Sequence, residues 1–382
     1  MNTHIPNEVN RKPILWRRKK NEDSIHIASQ WSLIFKKLRK HKLARISLVI
    51  LFTLYGAALF GQFIAPYGLQ SYNSEYMNAP PTQVHFFDED GQFHFRPFVY
   101  GLTSSRDPDT LRKVIVEDTS VIHPVQFLVR GEAYQFLGLF ETNLRLFGVE
   151  APGQIFLFGT DGTGRDLFSR IILGSQVSLS IPLVGVAISF VLGVIIGGVS
   201  GYFGGVVDSV IQRLIEIIRS FPTLPLWMAL SAAIPPRVPV VQMFLYITVI
   251  MAFLEWTGLA RVVRSKFVSL KNEDYVMAAK LSGVSNFKII LTHLIPGFMS
   301  YLVVAATLAI PAMILGETAL SFLGLGMQAP ATSWGVLLQE AQQIENVALY
   351  PWKLIPLGFV ILTVLAFNFL GDGLRDAADP YK

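Results

Sequence analysis

The side chains that most often carry catalysis are few and scattered in this sequence. Cysteine is absent, which excludes thiolate nucleophiles, disulfides and cysteine-based metal sites. The seven histidines are dispersed along the chain, and His293 has no second ligand at metal-binding spacing. No Ser-His-Asp or paired-carboxylate arrangement can be assembled from the remaining residues. The sequence therefore predicts no catalytic residue and no bound metal.

Three carboxylates stand in or near long apolar segments, where an ionised group is costly and usually faces a bundle interior or water. They are Glu216, Glu255 and Glu317. Glu216 lies three residues from both Arg213 and Arg219, so we predict a charge cluster on one helix face at the membrane edge. Glu317 is a candidate for lining a translocation path, and equally a candidate for anchoring the packing between helices.

A glycine-rich turn precedes the second long apolar segment. Its residues Gly162-Thr-Gly-Arg165 are of the type found in phosphate-binding loops, but no Gly-Lys-Ser/Thr follows. We interpret the segment as a structural turn. Asp161 and Arg165 are candidates for lining an entrance for solute, although a local ion pair that fixes the turn is the preferred interpretation.

The composition of the chain indicates which elements must position these residues. Of all its residues, 52% are hydrophobic and only 15% are charged. Runs near the roughly 20 residues needed to cross about 30 Å of hydrocarbon recur along the chain. We predict an all-α integral membrane protein with six transmembrane helices, at residues 46–65, 177–200, 211–234, 240–260, 298–322 and 352–370. Pro222 and Pro225 interrupt the third, which predicts a bent helix inside a bundle.

Lysine and arginine in short flanks mark the cytoplasmic side of a membrane helix. They are dense in residues 1–45 and 261–288 and absent from residues 321–351. The first apolar run begins too late for a signal peptide, so we interpret residues 1–45 as a cytoplasmic tail. Both termini are then cytoplasmic, the C-terminal tail being residues 372–382. Residues 177–371 form a five-helix core, and its loop at 261–296 is also cytoplasmic. This placement of the basic residues favours membrane orientation over nucleic-acid binding.

The same topology places residues 66–176 outside the membrane, a length that is rare for a structureless loop. Asp90-Gly91 stands between alternating apolar residues, which is a strong hairpin signal. We therefore predict a small mixed extracytoplasmic insertion that contains some sheet.

The cytoplasmic loop carries a helical pattern on both sides of Gly283, a residue that permits a sharp turn. The apolar positions of the two stripes are Tyr275, Val276, Ala279 and Leu281, then Phe287, Ile290, Leu291 and Leu294. We predict two short amphipathic helices with a glycine elbow. The small side chains of Ala278 and Ala279 would let another surface approach the backbone closely.

This loop resembles the coupling motif of ATP-binding cassette (ABC) importer permeases: Glu-Ala-Ala, three residues, Gly, nine residues, then Ile, any residue, Leu and Pro. The residues in register with it are Ala278, Ala279, Gly283 and Pro296. Met277 replaces the usual Glu, and His293 replaces the usual Ile. Residues 158–170, 317–326, 333–335 and 371–380 are similar to landmarks of the dipeptide, oligopeptide and nickel permeases. The chain resembles the second, C-type permease of that family.

The resemblance implies the type I ABC importer permease fold and transport of peptides by alternating access, with oligosaccharides or nickel as alternative solutes. It implies no ATPase site and no cofactor on this chain, because ATP and Mg belong to two partner ABC ATPases. A homologous permease, an extracytoplasmic solute-binding protein and membrane lipid complete the expected partners, in a bacterial or archaeal plasma (inner) membrane. The implied ATPase-coupling residues are Tyr275, Met277, Ala278, Ala279, Gly283, Phe287 and Pro296.

Two other classes stay open at this point. An ion-coupled secondary transporter would explain the spans, but it should show inverted repeats and acidic residues in broken helices, and no convincing repeat is visible. A membrane scaffold whose external insertion binds partners would explain the insertion but not the loop.

Overall fold

The structure of the protein is a computed structural model, and it describes residues 30–106, 108, 113–235, 238–328 and 330–379. The first part of the predicted cytoplasmic tail, residues 1–29, lies outside the described residues, as do the last three residues of the chain. A short helix α1 (Gln30–Leu38) precedes the first long apolar helix.

Five helices in the described part of the chain are long and apolar enough to cross a membrane. They are α2 (Lys42–Leu59), α4 (Leu167–Phe203), α7 (Val240–Leu270), α11 (Met299–Phe322), and α14 (Ile355–Ala378) with the 3₁₀ turn Pro351–Leu354 before it. Five of the six predicted spans are thus present. Helix α4 begins at Leu167, well before residue 177, so the insertion leads directly into a helix that is 37 residues long.

The third predicted span is interrupted at Pro222, as the sequence indicated, but it forms two separate helices and not one bent helix. The segment forms α5 (Gly205–Arg219) and α6 (Thr223–Ala232), separated at Pro222. Proline lacks a backbone N–H and disfavours helical backbone at the residue before it, so the chain turns at this point. Helix α6 has 10 residues, a rise of about 15 Å, and cannot cross a bilayer alone.

Glycines let α4 and α7 pack with their backbones in contact. A Cβ atom at Gly193 would lie 2.9 Å from Cβ of Leu259, and one at Gly201 would lie 2.6 Å from the carbonyl oxygen of Arg264. Gly197, midway between them, faces the carbonyl oxygen of Ala260 even more closely. Small residues four apart on one helix face are the usual means of close packing in membranes.

The bundle core lies between α4, α6, α7 and α11. Its buried side chains include Ile181, Trp227, Met251, Met313 and Ile314. Helices α2 and α14 pack beside it, where the rings of Tyr55 and Phe367 meet edge to face at 6.3 Å. The remaining short helices are α3 (Gly61–Ile64), α8 (Asp274–Leu281), α9 (Asn286–Ile289), α10 (Ile295–Gly297), α12 (Trp334–Ala341) and α13 (Ile344–Leu349).

The insertion contains two antiparallel sheets. One has the order β1–β2–β3, formed by β1 (His85–Phe87), β2 (Phe93–Arg106) and β3 (Lys113–Pro124). The other pairs β4 (Gln126–Phe136) with β5 (Phe140–Gly148), in a register that places Phe127 opposite Phe147. The predicted hairpin is present, with Gly91 at φ +78° between β1 and β2. Sheet was therefore correctly expected here.

A buried arginine attaches this insertion to the end of the first membrane helix. The guanidinium of Arg145 donates to the carbonyl oxygens of Gln62 (2.6 Å) and Ala65 (3.1 Å) and lies over the ring of Tyr134. Because Arg145 is only 1% exposed, these carbonyls replace the water that its charge loses. The second sheet is thereby fixed to the helix end.

Candidate functional site

The predicted loop forms two short helices joined at a glycine. We call residues 272–297 the elbow. Helix α8 ends with the N–H of Gly283 donating to the carbonyl oxygen of Lys280 at 3.0 Å. Gly283 itself has φ +77°, a left-handed conformation that costs an L-residue about 1–2 kcal/mol. Helix α9 follows and continues into a π turn, Ile290–Leu294.

Buried side chains anchor the elbow to the membrane helices. Val276 of α8 and Ile289 of α9 are fully buried, and they share a cluster with Val263 and Phe267 of α7. The sequence pattern listed Leu281 and Phe287 among the apolar positions of the two helices. In the structure these two side chains are 87% and 72% exposed. Ile289 was missed.

The opposite surface of the elbow is apolar and open. Tyr275, Met277, Leu281 and Phe287 are all exposed, and so are Ala278 and Pro296. Ala279 is half-buried and packs against the anchoring cluster. A Cβ atom at Gly283 would meet nothing within 4 Å. Six of the seven predicted coupling residues are therefore available to another surface, and Gly283 is one of them.

Polar contacts tie both halves of the elbow to the end of α4. The hydroxyl of Tyr202 donates to Oδ1 of Asn286 at 2.6 Å, and Nζ of Lys280 lies 5.3 Å from the centre of the Tyr202 ring. Nζ of Lys271, at the end of α7, donates to the carbonyl oxygen of Gly201 at 3.1 Å. These contacts connect the elbow and the end of α7 to the end of α4.

His293 packs inside the elbow, as its isolation in the sequence indicated. Its ring centre lies 6.4 Å from that of Tyr275, which joins the π turn to α8. No group of three or more His, Cys, Asp or Glu side chains that could hold a metal ion occurs among the residues that the structure describes.

Asp161 and Arg165 belong to a larger group of charges that also contains Arg170 and Glu340. We call these four residues the Arg170 cluster. The predicted local pair is present, with Nε of Arg165 2.7 Å from Oδ2 of Asp161. Arg170, which is 3% exposed, places Nη1 2.6 Å from the same oxygen and 2.5 Å from Oε2 of Glu340. This arrangement joins the turn, α4 and α12.

Burial alone would raise the pKa of Asp161. The charge of Arg170, the hydrogen bond from Thr163, and the charge and hydrogen bond of Arg165 together outweigh burial and hold this pKa below its usual range. The Arg170 cluster borders a cavity of about 420 Å³, which Asn78 and Lys353 also line. Sequence reasoning missed Arg170 and Glu340. A basic residue at the start of an otherwise apolar helix was the available signal.

Glu317 is fully buried and satisfied by serine hydroxyls. Ser321 donates to its Oε1 at 2.8 Å, and Ser178 of α4 donates to its Oε2 at 3.4 Å. The oxygen of Ser178 also accepts from the backbone N–H of Trp334. This geometry joins α4, α11 and α12, and it favours the packing interpretation over a place on the translocation path.

The predicted charge cluster on α5 is reduced to one surface pair. Arg213 donates to Glu216 at 2.8 Å, and both side chains are largely exposed. Arg219 instead lines a cavity together with Glu255. A single exposed pair of this kind contributes little to stability.

Comparison with known proteins gives two family matches. Residues 189–381 match the family described as binding-protein-dependent transport system inner membrane component. Residues 29–81 match the family described as N-terminal TM domain of oligopeptide transport permease C.

Individual relatives agree with these matches. The oligopeptide transport system permease protein OppC of Haemophilus influenzae is 44% identical over 224 residues, which cover 58% of this chain and 70% of that protein. The dipeptide transport system permease protein DppC of Bacillus subtilis is 41% identical over 230 residues, covering 60% and 70%. Among solved structures, an inward-facing MetNI methionine ABC transporter covers 55% of this chain and 97% of its own, with a TM-score of 0.45 and 18% identity.

Proposed function

Since this chain belongs to the family of binding-protein-dependent transport system inner membrane components, we propose that it is the second, C-type permease of an ATP-driven importer for di- and oligopeptides. The relatives named for oligopeptide and dipeptide transport support peptides as the solute. Oligosaccharides and nickel are the alternatives that a direct ligand test would reveal. The chain itself carries the solute path and no ATPase site.

The observation that carries this proposal is the exposed apolar surface of the elbow. Met277, Leu281 and Phe287 are exposed on two short helices whose buried residues pack against α7. Met277 and Leu281 lie one helical turn apart on the same face of α8. Exposed apolar side chains grouped in this way mark contact surfaces for other proteins. Charged side chains at Asp274, Lys280 and Lys288 surround them, as in the polar rim of a protein–protein interface.

The elbow supplies a mechanical connection in this proposal. It docks in a groove of an ATPase subunit, where ATP and Mg are bound, so that closure of two ATPases displaces the elbow. The displacement passes to α4 and α7 and changes the packing of this permease against a homologous partner, which alternates access between the two sides of the membrane. A solute-binding protein delivers the solute from the side of the insertion.

The test replaces Phe287 by aspartate in the chain expressed with its neighbouring transport genes. Burying a phenylalanine contributes about 1.5–3 kcal/mol, so its loss together with a buried charge should weaken ATPase binding by tenfold or more. Phe95, which is 91% exposed on β2, provides the matched control F95D. Copurification of the ATPase in mild detergent and peptide uptake by cells are measured for both variants.

F287D should lose the ATPase and peptide uptake, whereas F95D should retain the ATPase. Equal ATPase recovery from both variants and the parent would refute the elbow as the contact. Parent complexes without any ATPase would favour an ion-coupled carrier or a scaffold. Calorimetry of the neighbouring binding protein with peptides, oligosaccharides and nickel identifies the solute independently.

A further inference from the structure

Three cavities that share lining residues extend from the side of α5, α6 and α7, through the space between α4, α7 and α11, to the side of α11 and α14. Together we call them the α7–α11 groove. The first, of about 210 Å³, is lined by Arg219, Glu255 and Gly258 among others. The second, of about 220 Å³, shares Glu255 and Gly258 with the first and adds Tyr301 and Ala305. The third, of about 700 Å³, shares Tyr301 and Ala305 and ends beside the elbow. Glu255 thus stands where the first two cavities meet.

Glu255 lies in the apolar part of α7. It is the only charged residue between Val240 and Ala260, and Arg261 follows it six positions later, a rise of about 9 Å. An ionisable group at this depth is costly unless it faces water or an opposite charge. The groove provides the water-accessible face.

The carboxylate of Glu255 is not committed to a partner. Within the described part of the chain it makes no hydrogen bond and no ion pair, although Arg219 lines the same cavity and its charge acts on Glu255. Glu317 is different, because serine hydroxyls occupy both of its oxygens. Glu255 therefore has both carboxylate oxygens available to a ligand in the groove, whereas each oxygen of Glu317 already accepts a hydrogen bond.

The rest of the second cavity is built from small and apolar residues. Gly258, Ala305, Ala306 and Ala309 leave room, and Val186 and Met313 contribute apolar wall. Such walls tolerate side chains of different size and shape, whereas a lone carboxylate selects positive charge. The positively charged group that all unmodified peptides share is the α-ammonium.

We propose that Glu255 binds the α-ammonium group of a peptide as it passes along the α7–α11 groove. This inference rests on the proposed function and names the residue that selects the solute inside the membrane. Charge-assisted hydrogen bonds of this type correspond to a roughly ten- to hundredfold preference for the charged ligand. Glu255 adds that preference to whatever the binding protein selects.

The test measures uptake of a labelled dipeptide and of its N-acetylated form, by cells that depend on this permease, for the parent and for E255Q. For each strain, the uptake rate of the dipeptide is divided by that of its N-acetylated form. Because both strains use the same binding protein, its preference cancels when the two strains' ratios are compared. E255Q should lower that ratio by at least tenfold, and E255D should preserve the preference. Glu216→Gln, which alters an exposed carboxylate of α5, is the matched control and should leave the ratio unchanged.

Permease abundance in membranes and ATPase copurification are measured for each variant, and E255D carries the comparison if E255Q fails to assemble. Equal losses for both peptides in an assembled E255Q complex, or no loss, would overturn the role of Glu255 and leave the importer function intact. A parent strain that imports neither peptide would overturn the importer function, and this inference with it.

A different observation concerns the turn between β4 and β5. Phe136, at the end of β4, stacks on Phe60, which directly follows the first membrane helix, with ring centres 6.2 Å apart. Leu137, Leu139 and Phe140 project from this turn and are exposed. No charged residue occurs from 133 to 140. The turn is therefore held at the level where α2 leaves the bilayer, with its apolar side chains uncovered.

We infer that this turn inserts into the interfacial layer of the bilayer. Arg145 fixes the sheet to residues 62–65, which follow α2, and α2 itself exposes apolar side chains such as Phe52, which is 82% exposed. The transfer of apolar and aromatic side chains from water into this interfacial layer is favourable. The occupant of the patch is thus lipid.

Because the chain has no cysteine, single-cysteine variants give a clean test in nanodiscs of phosphatidylcholine and phosphatidylglycerol. A nitroxide at L139C should be more accessible to oxygen than to a water-soluble nickel complex, as at the lipid-facing control F52C. The exposed strand position S105C should show the reverse. If L139C behaved like S105C, the turn would lie in water and the inference would fail.

Discussion

The left-handed backbone of Gly283 gives the sharpest test of the elbow, because nothing else restricts that position. A Cβ atom there would meet no neighbour within 4 Å, so a substitution perturbs only the backbone conformation at φ +77°. Alanine should destabilise this left-handed conformation by about 1 kcal/mol, which shifts the equilibrium away from the present elbow conformation roughly fivefold. Asparagine tolerates this conformation and should stay within about twofold of the parent.

Proline is a different perturbation at the same site. Its φ near −65° is incompatible with the left-handed region, and it removes the N–H that donates to Lys280 at 3.0 Å. The end of α8 should therefore rearrange and carry Leu281 away from its present position. G283P should uncouple the complex, leaving ATP hydrolysis but abolishing solute movement.

The assay is solute taken up per ATP hydrolysed, in proteoliposomes that contain the complete complex. We expect the order parent, G283N, G283A, G283P, with intact assembly throughout. Coupling by G283P equal to that of the parent, or impairment of G283N as severe as that of G283P, would refute the argument that this backbone conformation shapes the elbow.

Two further predictions concern stability. G197L should lower the midpoint of thermal unfolding in detergent, because overpacking costs about 1–3 kcal/mol and the atoms in the way belong to the backbone of Ala260. G358L is the control, since a Cβ atom at Gly358 would meet nothing within 4 Å, and it should leave the midpoint unchanged. Equal midpoints for the two variants would contradict the close contact at Gly197. Burial raises the pKa of Asp166 from 3.8 to about 7, against hydrogen bonds from Ser169, so the folded state retains a proton that the unfolded chain releases. Stability should therefore fall as pH rises from about 4 to about 7, and D166N should flatten that part of the profile; parallel profiles for D166N and the parent would count against it.

The sequence predicted those features that depend on local composition. Hydrophobic runs located five long helices, and Asp90-Gly91 located a hairpin, because apolar length and turn chemistry act over a few residues. The third predicted span is divided at Pro222. A bent helix was expected there, and two separate helices form. Propensity does not fix how far a proline separates the segments on either side of it.

Tertiary contacts were the part that local patterns did not reveal. Arg170 meets Glu340 across 170 positions of sequence, and their pairing depends on α12 folding back beside α4. In the elbow, the apolar pattern included Ile290, Leu291 and Leu294 but not Ile289, which is the buried anchor of α9. A one-residue turn at a left-handed glycine changes which side of a short helix faces the core, and periodicity alone does not contain that rotation.

The placement of close contacts and of irregular backbone predicts which helices move together. Helices α4 and α7 touch backbone to backbone at Gly197 and Gly201, and both hold the elbow, so a displacement of the elbow should move them as one unit. Helix α11 is joined to the elbow through the π turn and Gly297, where the regular ladder is broken. Motion should therefore appear between α7 and α11, which form the walls of the groove around Glu255.

Spin labels at exposed positions can separate these two cases. Val191 of α4, Phe253 of α7 and Leu315 of α11 face outward and are replaced by cysteine in pairs. Between nucleotide-free and ATP-bound complexes, the distance between labels at 191 and 253 should stay constant, while the distance between 253 and 315 should change. A change in the first distance as large as in the second would mean that the glycine contacts do not couple α4 to α7. The displacement of the elbow would then reach α7 and Glu255 without moving α4 by the same amount.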